Sequence, residues 1–288
     1  MSLAFLVAAP ARDVGGIRRI IADARHFQIA TLGTLLAVHL LWCDLGAGPV
    51  QAAVTIASAL LAQLLCVRLS GAGSFDWRSP LITGLSLSLL LRTHEPLLWI
   101  AAAGLAIGSK FLIRLRGKHL FNPATFAIVA LLLASRDVWV SPGQWGSATW
   151  LALLLVCCGG LVLQRAERAD TALAFLAAYA GLLALRAVSL GDPLAIPLNQ
   201  LQSGALLLFG FFMITDPRST PDRRLGRILF AVAVAGLAYW LQFRWQLRPA
   251  LFFALAALSP LTPLLDLVLP APRFAWRTEH PRILPLEA

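Results

Sequence analysis

Ten apolar runs divide this chain, at residues 27–43, 50–69, 80–92, 96–114, 121–135, 147–164, 171–189, 198–214, 226–243 and 249–269. Charge, glycine and proline punctuate the gaps between them. A helix that crosses a bilayer needs about 20 residues, and most of the runs come near that length. The third and fifth do not. At about 1.5 Å of rise per residue, the stretch Leu81–Leu91 crosses only about half of a hydrocarbon core. Helices that short are tolerated where they line a site inside the protein instead of facing lipid. The pattern therefore predicts ten transmembrane helices with something built around the short ones.

Composition supports this. The chain is 59% hydrophobic and 13% charged, with a mean hydropathy of +0.77. A soluble domain carries about 25% charged residues, so a single water-facing surface could not be covered here. The fold class expected is an all-α polytopic membrane protein. The net charge of +10 does not imply nucleic acid, because the basic residues are sorted by loop. Nineteen of the 24 lysines and arginines fall in one alternate set of polar regions, and the other set holds only Arg92, Arg136, Arg186, Arg244 and Arg248. The positive-inside rule then puts both termini in the cytoplasm of a bacterial inner membrane. Trp42, Trp77, Trp99, Trp139, Trp145 and Trp150 lie near run ends, where amphipathic rings favour the interface. Residues 1–9 are apolar but short, and arginines follow them instead of preceding them, so residues 1–26 read as a cytoplasmic or interfacial segment and not as a cleaved signal.

The two halves repeat weakly. Ile82-Thr83-Gly84 opens the third run, which closes before Pro96; Gln202-Ser203-Gly204 opens the eighth, which closes before Pro217. The hydroxyl-to-proline spacings are 13 and 14 residues. Asn122-Pro123-Ala124 then starts the fifth run, and Arg248-Pro249-Ala250 the tenth. Five spans per repeat is odd, so the repeats must be inverted in the membrane, with a ligand expected near the midplane between the short helices. The domain reading follows: repeats over 27–135 and 147–270, a connecting loop at 136–146 and a cytoplasmic tail at 271–288.

Candidate chemistry sits at the run ends. Pro217 pushes Asp216 away from helical geometry, leaving Thr215 and Asp216 at the mouth of the eighth run. One reading is a helix stop with Asp216 paired to Arg223, Arg224 or Arg227. The other is a polar or phosphorylated ligand held there, since arginine grips phosphate as a fork. Asn122 before Pro123 is an N-cap followed by proline at the first helical position, and a helix N-terminus in a membrane also offers N–H groups to a ligand. Cys43, Cys66, Cys157 and Cys158 form no C-x-x-C pair and read as buried small hydrophobes, with a Cys43–Cys66 ligand pair as the alternative. Only His39 of the five histidines lies clearly within a run, so no haem pair is expected. No metal site and no catalytic residue is predicted, and no hydrolase or nucleotide-binding motif occurs.

The stretches SPLITGLSLSLLL (79–91), KHLFNPATFAIVALLL (118–133) and LQSGALLLFGFFMITDPRSTPDRRLGRILF (201–230) resemble the D subunit of the Rnf electron-transport complex and the B subunit of the Na⁺-translocating NADH:quinone reductase. The resemblance runs over most of residues 27–270. It implies a ten-helix inverted repeat like that of urea and ammonium transporters, flavin held within the membrane, and work as a subunit of a multisubunit oxidoreductase with other membrane and soluble redox subunits as partners. The family's S-G-A-T threonine, which carries flavin covalently, has no counterpart here; Gly146-Ser147-Ala148-Thr149 has the letters in another order. Noncovalent FMN or riboflavin is therefore expected, with Thr149 the residue to inspect if attachment is covalent. Thr83, Ser203, Asn122 and Thr215 are expected to give polar contacts beside Gly84, Pro123, Gly204 and Asp216, and Lys118 and Arg227 to face a phosphate. A channel or permease for a small polar solute, or a flavin-free scaffold, are the other readings of the same pattern.

Overall fold

The structure, a computed structural model, describes residues 23–42, 48–71, 74–141 and 149–274. Each apolar run contains helix where it is described. The first half holds α1 (Ala24–Trp42), α2 (Pro49–Ser70), α3 (Arg78–Leu90), α4 (Pro96–Leu112) and α5 (Pro123–Ala134). The second holds α6 (Thr149–Ala166), α7 (Ala169–Leu190), the short helices α8 (Ala195–Leu201) and α9 (Gly204–Leu208), then α10 (Arg224–Arg244), α11 (Ala250–Leu258) and α12 (Thr262–Val268). Prolines at 49, 96 and 123 open helices at positions where no N–H is needed. Gly71 and Gly191 close α2 and α7 in the left-handed conformation.

Among the described residues, Pro49–Ser70, Ala169–Leu190, Arg224–Arg244 and Ala250–Val268 are long and apolar enough to cross a membrane, and the bent pair Ala195–Leu201 and Gly204–Met213 gives a fifth span if it counts as one. Leu61, Leu65 and Leu69 of α2 and Leu173, Leu185 and Val188 of α7 point outward. In water such a surface would be a liability; in lipid it is the solvent-facing side. The chain is thus a helical, polytopic membrane protein.

The eighth run is not one helix. Ser203 is extended, and α8 meets the following helix at 51°. After α9 comes a single π turn, Phe209–Met213. A π turn is rare and marks functional sites more often than chance would place it. It is packed tightly here: a Cβ on Gly159 of α6 would stand 2.8 Å from Cγ of Phe211, so glycine is what lets α6 reach the turn. Gly84 does the same for α3 and α2, where a Cβ would lie 3.0 Å from the Ile56 Cα.

Two short antiparallel ladders correct the all-α expectation. β1 (Leu91–Thr93) pairs with β4 (Val138–Val140), and β2 (Arg114–Leu115) pairs with β3 (Lys118–His119). Backbone leaving a short helix inside a membrane protein must find partners, and β4 supplies them to β1. It also places a strand in the 136–146 loop. Arg92, expected as a loop residue, is instead 1% exposed. Its guanidinium donates to the carbonyls of Ser88, Leu89 and Leu91 and meets His39 Nε2 at 3.2 Å. It closes the C-terminal end of α3, where the helix dipole favours a cation.

α2 packs on α3 and α4, and α4 on α5; α7 packs on α10, and α10 on α11. The halves meet through α1 on α6 and α5 on α11. α3 packs on α1, α2 and α4 and is buried from Thr83 to Leu90.

Candidate functional site

A cavity of about 210 Å³ opens between the N-terminal end of α3, the end of α4, the start of α5, α6 and the turn after Met213. One end of it is polar by construction. Asn122 caps α5, its side-chain oxygen accepting from Thr125 N at 3.1 Å. That leaves its amide nitrogen to reach across to the Met213 carbonyl and to Asp216, each at 3.4 Å. Asp216 accepts from the Arg218 N–H and from Ser219 Oγ, both at 3.1 Å, and Thr215 donates to the Phe211 carbonyl. The cap of one half and the proline turn of the other are thus one hydrogen-bonded unit.

The opposite wall carries Ser79, Thr83 and Ser86 of α3, Gln63 of α2 and Lys110 of α4. Lys110 Nζ donates to Ser79 Oγ and Thr83 Oγ1, each at 3.0 Å. Phe111, Phe211 and Phe212 add apolar surface. Two buried polar atoms of the wall, Gln63 Oε1 and His119 Nδ1, have no hydrogen-bond partner among the described residues. Buried polar groups are nearly always satisfied, so unpaired ones on a cavity wall point to a ligand or to water.

At one edge of the cavity Arg25 and Asp76 belong to a four-charge cluster. Arg25 binds Asp23 and Asp76, and Arg78 binds the same two carboxylates, at 2.6–2.8 Å. The cluster ties the start of α1 to the start of α3. Burial alone would raise both carboxyls, but hydrogen bonds from Arg25 to Asp23 and from Arg78 to Asp76, with the nearby guanidinium charges, hold them below the ordinary carboxylate value.

Of the residues expected at the site, Thr83, Asn122, Pro123, Thr215 and Asp216 line the cavity, and Gly84, Lys118, Ser203, Gly204 and Arg227 do not. Ser203 and Gly204 sit at the bend before α9. Lys118 is turned to Asp222, Asp266 and the Thr220 carbonyl, on the wall of a smaller cavity of about 130 Å³. Arg227, expected beside Asp216, instead grips Asp170 at the start of α7. Carboxylates on neighbouring helices compete for both cations, and sequence distance does not reveal them. Gly146, Ser147 and Ala148 lie outside the described residues, as does Cys43; Thr149 begins α6, and its side chain is likewise outside the description. Sequence reasoning missed Gln63 and Lys110. Each is a strongly polar side chain within or at the end of an apolar run, the signal that marks functional residues in membrane proteins. By charge counting alone, Lys110 reads only as a topological mark.

His119 gives a pH prediction. Burial is the main cause that pushes its imidazole from an ordinary 6.5 down to about 4, against the charge of Asp216 and with that of Lys110, Arg114 and Arg218. The unfolded chain takes up this proton between those values and the folded one does not, so stability falls as pH drops through that window. The melting midpoint in detergent is expected to decline from pH 6.5 towards 4, and to decline less in His119→Gln. An identical decline in the variant would assign the effect elsewhere.

Residues 135–274 match the NQR2, RnfD, RnfE family. The chain is 30% identical to the D subunit of the ion-translocating oxidoreductase complex of Stutzerimonas stutzeri over 289 residues, covering 75% of this chain and 81% of that protein. It is 36% identical over 126 residues to the protein of the same name from Escherichia coli O7:K1, and 35% identical over 126 residues to that of Citrobacter koseri. Each of these two shorter matches covers 43% of this chain and 34% of the relative.

Proposed function

The chain belongs to the NQR2, RnfD, RnfE family, and on that premise we propose that it is a membrane subunit of an ion-translocating oxidoreductase complex that holds a flavin noncovalently in the cavity between its halves. The observation that carries the flavin reading is the cavity wall itself. It combines phenylalanine faces with unpaired buried atoms, Gln63 Oε1 and His119 Nδ1, and with the Asn122–Asp216 unit. An isoalloxazine ring asks for that mixture, an apolar slot with a few placed donors and acceptors. The residues present fit the group. FMN or riboflavin, once bound, would supply the electron-carrying chemistry. The chain's part would be to hold the group: Phe111, Phe211 and Phe212 would exclude water from it, and Gln63, His119 and Asn122 would bind its polar atoms.

We read the fold as ten spans in two inverted repeats, over 27–135 and 147–270, joined by 136–146, with both termini in the cytoplasm. Two things support this reading. The second helix packs on the fourth and the fourth on the fifth in each half, counting the broken eighth run as one. The basic residues also concentrate in alternate loops. Electron donor and acceptor would come from other subunits, membrane-bound and soluble.

Protein purified in mild detergent is expected to show the visible absorbance of oxidised flavin. Denaturation should release all of it, leaving no fluorescent band after SDS electrophoresis, and Thr149→Ala should keep the wild-type content. Asn122→Ala removes a helix cap, worth about 1 kcal/mol, and a cavity-wall amide; it should retain well under half the flavin. A colourless wild type that transports a small polar solute would establish the permease reading instead.

A further inference from the structure

Lys110 has the wrong surroundings for a structural lysine. It is 4% exposed, and among the described residues its ammonium is hydrogen-bonded only to the hydroxyls of Ser79 and Thr83. Arg25, the other deeply buried cation of the cavity wall, is 5% exposed but bound to two carboxylates, Asp23 and Asp76. A buried charge is normally paired. The two carboxylates that share the cavity with Lys110 are already engaged, Asp76 by Arg25 and Arg78 and Asp216 by Ser219, the Arg218 N–H and Asn122. The remaining cations are placed differently: Arg114 is exposed and Arg218 partly so, while His119 is held neutral near pH 7.

We propose that Lys110 is the charge-compensating residue of the cavity, its ammonium facing the negative charge that the ligand acquires on reduction. The proposal rests on the flavin reading above. Two-electron reduction by dithionite, itself oxidised to sulfite, adds two electrons and one proton to the ring and leaves it with one negative charge. An ammonium held by Ser79 and Thr83 beside the ring binds that form more tightly than the neutral oxidised one, and so raises the reduction potential. Serine and threonine hydroxyls suit this task because they orient the ammonium without neutralising it, as a carboxylate would.

Potentiometric titration of the purified full chain, followed by flavin absorbance, tests the assignment. Lys110→Met, similar in shape and uncharged, is expected to lose about a hundredfold of the preference for the reduced ring, a fall of about 60 mV at about 30 mV per tenfold for a two-electron couple. Lys110→Arg should stay near wild type. Lys110→Gln, which can still bond Ser79 and Thr83, should behave as the methionine variant does. A flavin-loaded Lys110→Met or Lys110→Gln at the wild-type potential overturns the assignment and leaves the flavin reading standing. A colourless wild type removes both. If neither uncharged variant accumulates while Lys110→Arg does, the charge serves folding and the assignment fails.

Discussion

Replacing Arg227 by alanine is expected to destabilise the protein by about 3–5 kcal/mol, a fall in melting midpoint on the order of 10 °C. Arg227 Nη2 lies 2.5 Å from Asp170 Oδ2, with the two side chains 12% and 11% exposed. Its Nε also donates to that carboxylate, and Nη1 donates to the Asp222 carbonyl. Truncation would leave the part-buried Asp170 with only the Thr171 N–H and hydroxyl as close donors among the described residues. The pair also joins the first turns of α7 and α10, two helices packed along each other. Arg224 provides the internal control, since it approaches the same Asp170 at 3.8 Å but is 78% exposed. Exposed pairs are worth about 0–1 kcal/mol, so Arg224→Ala should be close to neutral. Thermal unfolding of the two variants side by side measures this, and equal small effects would show that Asp170 is well solvated.

Asp216→Ala is expected to abolish flavin retention, with a loss of affinity of at least about tenfold, and to cost on the order of 2–3 kcal/mol. The carboxylate accepts from the Arg218 N–H, Ser219 Oγ and Asn122 Nδ2. Its removal leaves part-buried donors unsatisfied, at about 1–3 kcal/mol for such a group, and frees the Asn122 amide from the turn. Asp216→Asn should be milder in stability, because its oxygen can still accept and asparagine suits turns. It should still weaken flavin binding, since its NH₂ would face the Asn122 NH₂. Flavin content per protein in the two variants decides the matter; wild-type content in Asp216→Ala would reduce the turn to a helix stop and move the site towards Lys110 and Gln63.

The structure changes how the two basic elements outside the cavity are understood. Arg227 belongs to a helix–helix clamp and Lys118 to a link between the loop before α5, the loop before α10 and α12. Neither cation is left over for a phosphate.

Much of this protein was determined by local sequence alone. Helix positions followed from run length, because a membrane leaves the backbone no other way to satisfy its own polar groups. The cap at Asn122 and the stop at Asp216 followed from proline, whose missing N–H and fixed φ act on its immediate neighbours. The membrane class followed from composition, and the family from the blocks around Asn122 and Asp216. Tertiary structure decided the rest. Whether a cation is a topological mark, a clamp or part of a site depends on which carboxylate lies across the helix interface. Arg227 found Asp170, 57 residues away, Lys118 found Asp266, 148 residues away, and Lys110 found hydroxyls in place of a carboxylate. The break in the eighth run, its π turn and the β1–β4 ladder are likewise choices of packing, made where Gly159 lets α6 approach Phe211 and where β4 supplies partners to backbone leaving α3. Interactions between neighbours along the chain can be read from it; the partners of buried charges cannot, because they are set by distances that exist only once the helices have packed.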